Sequence, residues 1–69
     1  MKIGTTIKYL RENAGISRKE LSEAIQVDVR TISYWENNIN EPKASYVAKL
    51  SVFFGVSADY LLDIEKDGN

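Results

Sequence analysis

Two N-cap residues eleven positions apart constrain this chain more than any other feature. Ser17 opens SRKE, with Glu20 three residues on, and the pair reads as a capping box. Asp28 is the next good N-cap. The helix begun at Ser17 must therefore end near Ile25, after about two and a half turns. Gln26 and Val27 leave room only for a tight connection before the next helix, which ends near Asn37. Two helices this short cannot stand alone in water. The rest of the chain must supply their core.

The remaining punctuation reads as three more helices. Ile3, Ile7, Leu10 and Ala14 form one apolar stripe, followed by Gly15 where a left-handed cap is wanted. In the second helix Leu21, Ala24 and Ile25 are expected to face inward. Asn38 suits a left-handed position after the third helix, and Ile39 to Pro42 form a loop. Helix four is expected over Ser45–Phe54, with Val47, Leu50 and Phe54 inward and Gly55 as its stop. Ser57 then caps a short fifth helix carrying Tyr60, Leu61 and Leu62. The expected division is one domain over 1–64, with the paired helices at about 17–37, and a polar tail over 65–69. No repeat, low-complexity tract or strand pattern interrupts this all-α reading.

The third helix poses the functional question. At about 100° per residue, Ile32 and Trp35 fall on one side, as core residues should. Arg30, Ser33, Tyr34 and Asn37 fall on the other. A short helix anchored by Trp thus presents a polar, hydrogen-bonding row outward. Two helices joined by about three residues, the second so decorated, describe a helix-turn-helix.

Composition narrows the alternatives. The chain has 69 residues, enough for one domain, which at this size buries only about 60% of its unfolded surface. It contains no Cys and no His, which removes disulfides, thiol chemistry and the usual zinc sites. There is no glycine-rich phosphate loop and no carboxylate set in a plausible cleft, so no enzymatic activity, cofactor or small-molecule ligand is expected. Asp59, Asp63, Glu65 and Asp67 read as a solvated C-terminal end and not as a metal site. No apolar run approaches a membrane span of roughly 20 residues and no signal-peptide pattern opens the chain, so a cytoplasmic location is expected.

The charge is a warning. Net charge is −1, whereas a nucleic-acid binder usually shows a basic bias. The balance is uneven, however. Residues 1–35 hold six basic and four acidic side chains, a balance of +2, and residues 36–69 hold three and six, a balance of −3. A local basic face is possible in the first half; a generally adhesive polycation is not.

From Gly4 to Leu62, 59 of 69 residues, the chain resembles the phage repressor and Cro (Cro/C1, Xre-like) helix-turn-helix family. The carrying stretches are IGTTIKYLRENAGISRKELSEAI, TISYWEN and LSVFFGVSADYLL. The resemblance implies a compact five-helix bundle of the lambda-repressor-like DNA-binding type. It implies an ion pair between Arg11 and Glu36 that fixes the third helix, where the residues alone would allow two separate solvated charges. It also implies that the third helix enters the DNA major groove. Val29, Arg30 and Tyr34 are then the first candidates for base contacts, with Ser33 next. Arg30 suits guanine O6 and N7, and Val29 a thymine methyl. Backbone contacts are implied at Ser17, Arg18, Thr31, Asn37 and Lys43, with Lys19 a weaker choice. Ser17 is a cap in any case, and Asn37 could simply end its helix. Three positions depart from the family pattern. Gln26 stands where Gly is usual in the turn, Ser22 where Ala is common, and Asn38 where Gly is frequent.

With three or four charged contacts per subunit, a monomer would bind weakly, because affinity from phosphate neutralisation is modest and salt-sensitive. A homodimer on a palindrome is therefore expected. Val52, Phe53, Val56 and Tyr60 are its candidate interface, with ordinary core packing as the alternative for all four and at least an equal one for Phe53. The leading expectation is a sequence-specific, dimeric transcriptional repressor of double-stranded DNA. The alternatives are an antitoxin-like protein-interaction module and the isolated DNA-binding domain of a longer repressor.

Overall fold

The computed structural model describes residues 3–62. The tail expected over 65–69, and with it Asp63, Glu65 and Asp67 of the acidic end, lies outside the described residues. Five helices follow in order: α1 (Ile3–Asn13), α2 (Arg18–Ile25), α3 (Val29–Glu36), α4 (Ala44–Phe54) and α5 (Ala58–Leu62). The boundaries follow from the caps. Ser17 Oγ accepts the Glu20 amide at 3.0 Å, and Glu20 Oε1 accepts the Ser17 amide at 2.8 Å. Asp28 caps α3 through the Arg30 amide, and Ser57 caps α5 through the Tyr60 amide. Helix α4 starts one residue before the expected Ser45, with Lys43 at an N-cap that makes no side-chain hydrogen bond.

Three residues, Gln26 to Asp28, separate α2 from α3. Gln26 takes the left-handed conformation, with φ of 61°. For a residue with a Cβ that conformation costs roughly 1–2 kcal/mol. The cost is tolerated because the Gln26 and Val27 amides then close the end of α2 on the Ser22 carbonyl.

Each helix sends at least one residue into a single core: Ile3 and Ile7, Leu21 and Ile25, Ile32 and Trp35, Val47 and Leu50, and Leu61. Full burial of each aliphatic side chain contributes roughly 1.5–3 kcal/mol. Helix α3 packs on α1 and α2, α4 packs on α2 and α5, and α5 closes back onto α1. The Trp35 ring meets Tyr46 of α4 at 5.5 Å between centroids. The pair is tilted, as aromatic quadrupoles favour.

Two inward assignments are corrected. Ala14 is exposed, because α1 ends at Asn13 and Ala14 already belongs to the turn. Ala24 is also exposed: Leu21 and Ile25 take the buried side of α2, and Ala24 lines an open groove with Val52 and Phe53 of α4. Leu10 is half-buried, and the polar Thr6 and Ser22 are buried in addition. No described helix is long and apolar enough to cross a membrane.

Candidate nucleic-acid interface

What α3 can present depends on how it is held. Ile32 and Trp35 point into the core, and Glu36, its last residue, is buried. Arg11 of α1 donates Nε to Glu36 Oε2 at 2.6 Å and Nη2 to Oε1 at 3.1 Å. The remaining Nη1 donates to the Ile16 carbonyl at 2.9 Å. Arg18, the first residue of α2, adds its Nε to Glu36 Oε1 at 2.9 Å. One carboxylate therefore ties the end of α3 to α1 and α2, while Arg11 itself reaches the turn between them. The hydrogen bond to Glu36 pushes the Arg11 guanidinium further up from its already high ordinary value, against the opposing effect of burial.

A second restraint comes from Gly4, which is buried. Here the backbone of α1 lies directly on that of α3. A Cβ added to Gly4 would overlap the Trp35 carbonyl oxygen and stand 2.7 Å from the Trp35 carbonyl carbon. Only glycine permits the approach. Asn38, left-handed with φ of 60°, donates Nδ2 to Thr5 Oγ1 at 3.5 Å beside it.

With its inner side so fixed, α3 exposes the opposite one. Val29, Arg30, Tyr34 and Asn37 are exposed, and Thr31 and Ser33 are half-buried. The Arg30 side chain is 80% exposed. Asn37 folds its amide back, donating Nδ2 to the Ser33 carbonyl at 2.9 Å and to Ser33 Oγ at 3.3 Å. That closes the helix and leaves Asn37 Oδ1 with no hydrogen bond among the described residues, available as an acceptor.

At the other end of α3, Asp28 Oδ1 accepts the Arg30 amide at 2.8 Å and lies 3.5 Å from Arg30 Nε. The amide hydrogen bond, with help from the Arg30 side chain, holds the Asp28 carboxyl below its ordinary 3.8. A depressed carboxyl contributes stability that is complete above its unfolded value and lost as pH falls through the folded one. Asp28→Asn keeps a capping oxygen and removes the titration. The substitution should flatten the acid limb of a thermal-unfolding profile below the ordinary value of 3.8, and because the ionised cap is gone it should also lower the neutral plateau toward the acid-side stability. An identical acid limb in both proteins would show that the cap does not titrate with folding.

The flanking candidates divide. Ser17 and Arg18 stand at the start of α2, on the element packed against α3, and Lys43 stands across the 37–42 loop at the start of α4. Of the apolar candidates, Val52 is 82% exposed, and Phe53 is exposed with its ring edge-on to Phe54. Both line an open groove of about 380 Å³ with Ala24, Ile25, Gln26 and Lys49. Val56 is half-buried against the core and leaves only part of its side chain for a partner. Tyr60 is exposed and lies outside that groove.

Two residues of this framework escaped the sequence reading, Gly4 in its close-packing role and Arg18 as a partner of Glu36. The first gave only the signal of a glycine inside a helical stripe. The second gave none.

A helix-turn-helix family model matches residues 7–61. The HTH-type transcriptional regulator ImmR of Bacillus subtilis (strain 168) is 34% identical over 62 residues, 90% of this chain and 49% of ImmR. The chain thus spans about half the length of that relative. Among solved structures, the P22 c2 repressor protein in complex with synthetic operator 9T superposes with a TM-score of 0.85 at 31% identity, covering 90% of this chain and 94% of that one. A transcriptional regulator from Listeria innocua superposes with a TM-score of 0.89, covering 96% of this chain and 62% of that one. Its 20% identity makes the likeness one of fold alone.

Proposed function

The chain belongs to the helix-turn-helix family of the phage repressor and Cro (Xre) type, and from that premise we propose that it is a cytoplasmic, non-enzymatic, sequence-specific DNA-binding regulator of transcription. It acts as a homodimeric repressor on a palindromic operator. The observation that carries this reading is the asymmetry of α3. Its inner side is locked by Trp35, Glu36 and the Gly4 contact, and its outer side offers Val29, Arg30, Ser33 and Tyr34. The operator complex of the P22 c2 repressor, to which the fold and 31% of the aligned residues correspond, supports placing that side in a major groove.

The roles follow from side-chain chemistry. Arg30 reads guanine through two parallel hydrogen bonds, Val29 meets a thymine methyl, and Tyr34 and Ser33 complete the base-facing row. Ser17, Arg18, Thr31, Asn37 and Lys43 hold the backbone and set the register. Arg30→Ala should weaken binding to the best site by roughly 1–3 kcal/mol and relax preference at one base position per half-site. Comparing the motifs that each protein selects from random duplexes reads both effects. An unchanged motif would remove Arg30 from the base-reading set.

Few cations face the DNA, so two copies must share the work. Half-sites about 34 Å apart present the same groove face twice. The exposed Val52 and Phe53 supply apolar surface for pairing, and Tyr60 extends it. Val52→Asp should leave monomer stability within about 0.5 kcal/mol. It should reduce affinity for a full palindrome about 100-fold, toward that of a half-site. Equal palindrome affinity for both proteins would place the dimer contact elsewhere.

A further inference from the structure

Glu36 meets two guanidinium groups, and they differ in what they have left to offer. Arg11 is nearly sealed from water and spends three of its nitrogens inside the fold. Arg18 gives Glu36 only its Nε, at 2.9 Å, and its side chain remains 40% exposed. Its two terminal nitrogens make no hydrogen bond among the described residues. Two cations against one buried carboxylate leave a surplus of one positive charge. The nearby Glu12 stands 4.0 Å from Arg11 Nη2 and is 59% exposed, so water screens much of its effect. The uncancelled charge therefore emerges at Arg18, beside the capped start of α2.

We propose that Glu36 is a positioning residue for phosphate recognition. By fixing the Nε edge of Arg18, it holds the terminal nitrogens of that guanidinium as a preformed clamp for one DNA phosphate. This rests on the DNA-binding reading above and adds a cause to it. A guanidinium is a planar fork with five donors, so one edge can serve the carboxylate while the other serves a phosphate. Charge-assisted, two-pronged hydrogen bonds of this kind are strong and directional. The rotamer freedom that a solvated Arg loses on gripping a phosphate has here been lost already in folding. The last residue of the recognition helix and the backbone contact thus move as one unit. Lysine cannot reproduce this, because its ammonium is a point donor without a second planar edge: it cannot hold Glu36 and still offer a phosphate two parallel hydrogen bonds.

Lysine therefore makes the test. Arg18→Lys and Arg18→Ala are compared with the unmodified protein by fluorescence anisotropy, on a duplex that the unmodified protein has selected, over a series of salt concentrations. Circular dichroism verifies that each variant is folded. Because Arg18→Lys keeps the charge and leaves the Arg11–Glu36 pair in place, it avoids the instability of a Glu36 variant. The expected result is that Lys is about as poor as Ala. Both should lose roughly tenfold in affinity, with a log–log salt slope shallower by about 0.9 for each bound subunit. A Lys variant within twofold of the unmodified protein, with its slope unchanged, would mean that charge alone matters and that Glu36 positions nothing. An Ala variant with unaltered affinity and slope would remove Arg18 from the phosphate. If the unmodified protein selects no duplex at any salt, the DNA-binding reading falls and takes the clamp with it, a failure distinct from the other two.

Discussion

Glu36→Ala is expected to cost roughly 3–5 kcal/mol of folding free energy, close to all that a domain of this size possesses. The loss has a specific origin. Arg11 is 8% exposed and keeps its charge at every accessible pH, so without Glu36 it becomes a buried cation with only the Ile16 carbonyl and the distant, water-screened Glu12 as partners. Arg18 loses its anchor as well, but it can turn to water. The expected readout is a chain largely unfolded at 37 °C by circular dichroism, with no cooperative transition of normal amplitude. A double variant distinguishes a lost ion pair from a lost shape. Replacing Arg11 and Glu36 together by Leu removes the stranded charge, and such exchanges are often neutral or better. The double variant should therefore be more stable than Glu36→Ala alone. A Glu36→Ala protein that melts within about 3 °C of the unmodified one would mean the pair contributes well under 1 kcal/mol.

Gly4→Ala should be nearly as damaging, although by helix propensity it is an improvement. Alanine favours a helix over glycine by about 1 kcal/mol. At this position the added methyl overlaps the Trp35 carbonyl, which is backbone inside α3 and cannot swing aside. Overpacking commonly costs 1–3 kcal/mol. Because rigid backbone stands on both sides, the overlap should cost more than that common range, and after the propensity gain a net loss of about 3 kcal/mol is expected. For a domain of 60–100 residues that corresponds to a fall in Tm of roughly 12–24 °C. What survives should also bind DNA poorly, since α1 can relieve the overlap only by displacing the end of α3. Gly15, left-handed with open space around it, supplies a control: Ala there meets no atom within 4 Å and costs only backbone strain. Equal melting of Gly4→Ala and the unmodified protein would contradict the close approach of α1 and α3.

These two residues also mark where the sequence is silent. The helix boundaries are legible because each cap acts within a few residues: Ser17 with Glu20, Asp28 with Arg30, Ser57 with Tyr60. The outward row of α3 is legible because Trp35 fixes the helix phase. Gly4 is not legible in this sense, since a glycine in an apolar stripe reads as a local weakness until its neighbour across space is known. Arg18 and Glu36 stand 18 residues apart, and only the packing of α2 on α3 brings them within 2.9 Å. Ala24 fails for a related reason. On a helix of eight residues, the wheel cannot separate the centre of an apolar face from its edge, and the position of α4 decides. Val56 follows the same rule: patterning marks it as apolar, and only the assembled core shows it half-buried.

The proposed function turns on whether α3 reads a base sequence. Selection of bound duplexes from a random-sequence pool by the unmodified protein, at several salt concentrations, tests it most directly. The expected result is a two-fold symmetric motif with half-site centres about one helical turn apart, bound with an affinity that falls as salt rises. Failure to enrich any sequence, even at the lowest salt, would contradict it. The net charge of −1 would then describe the protein better than its helix-turn-helix does.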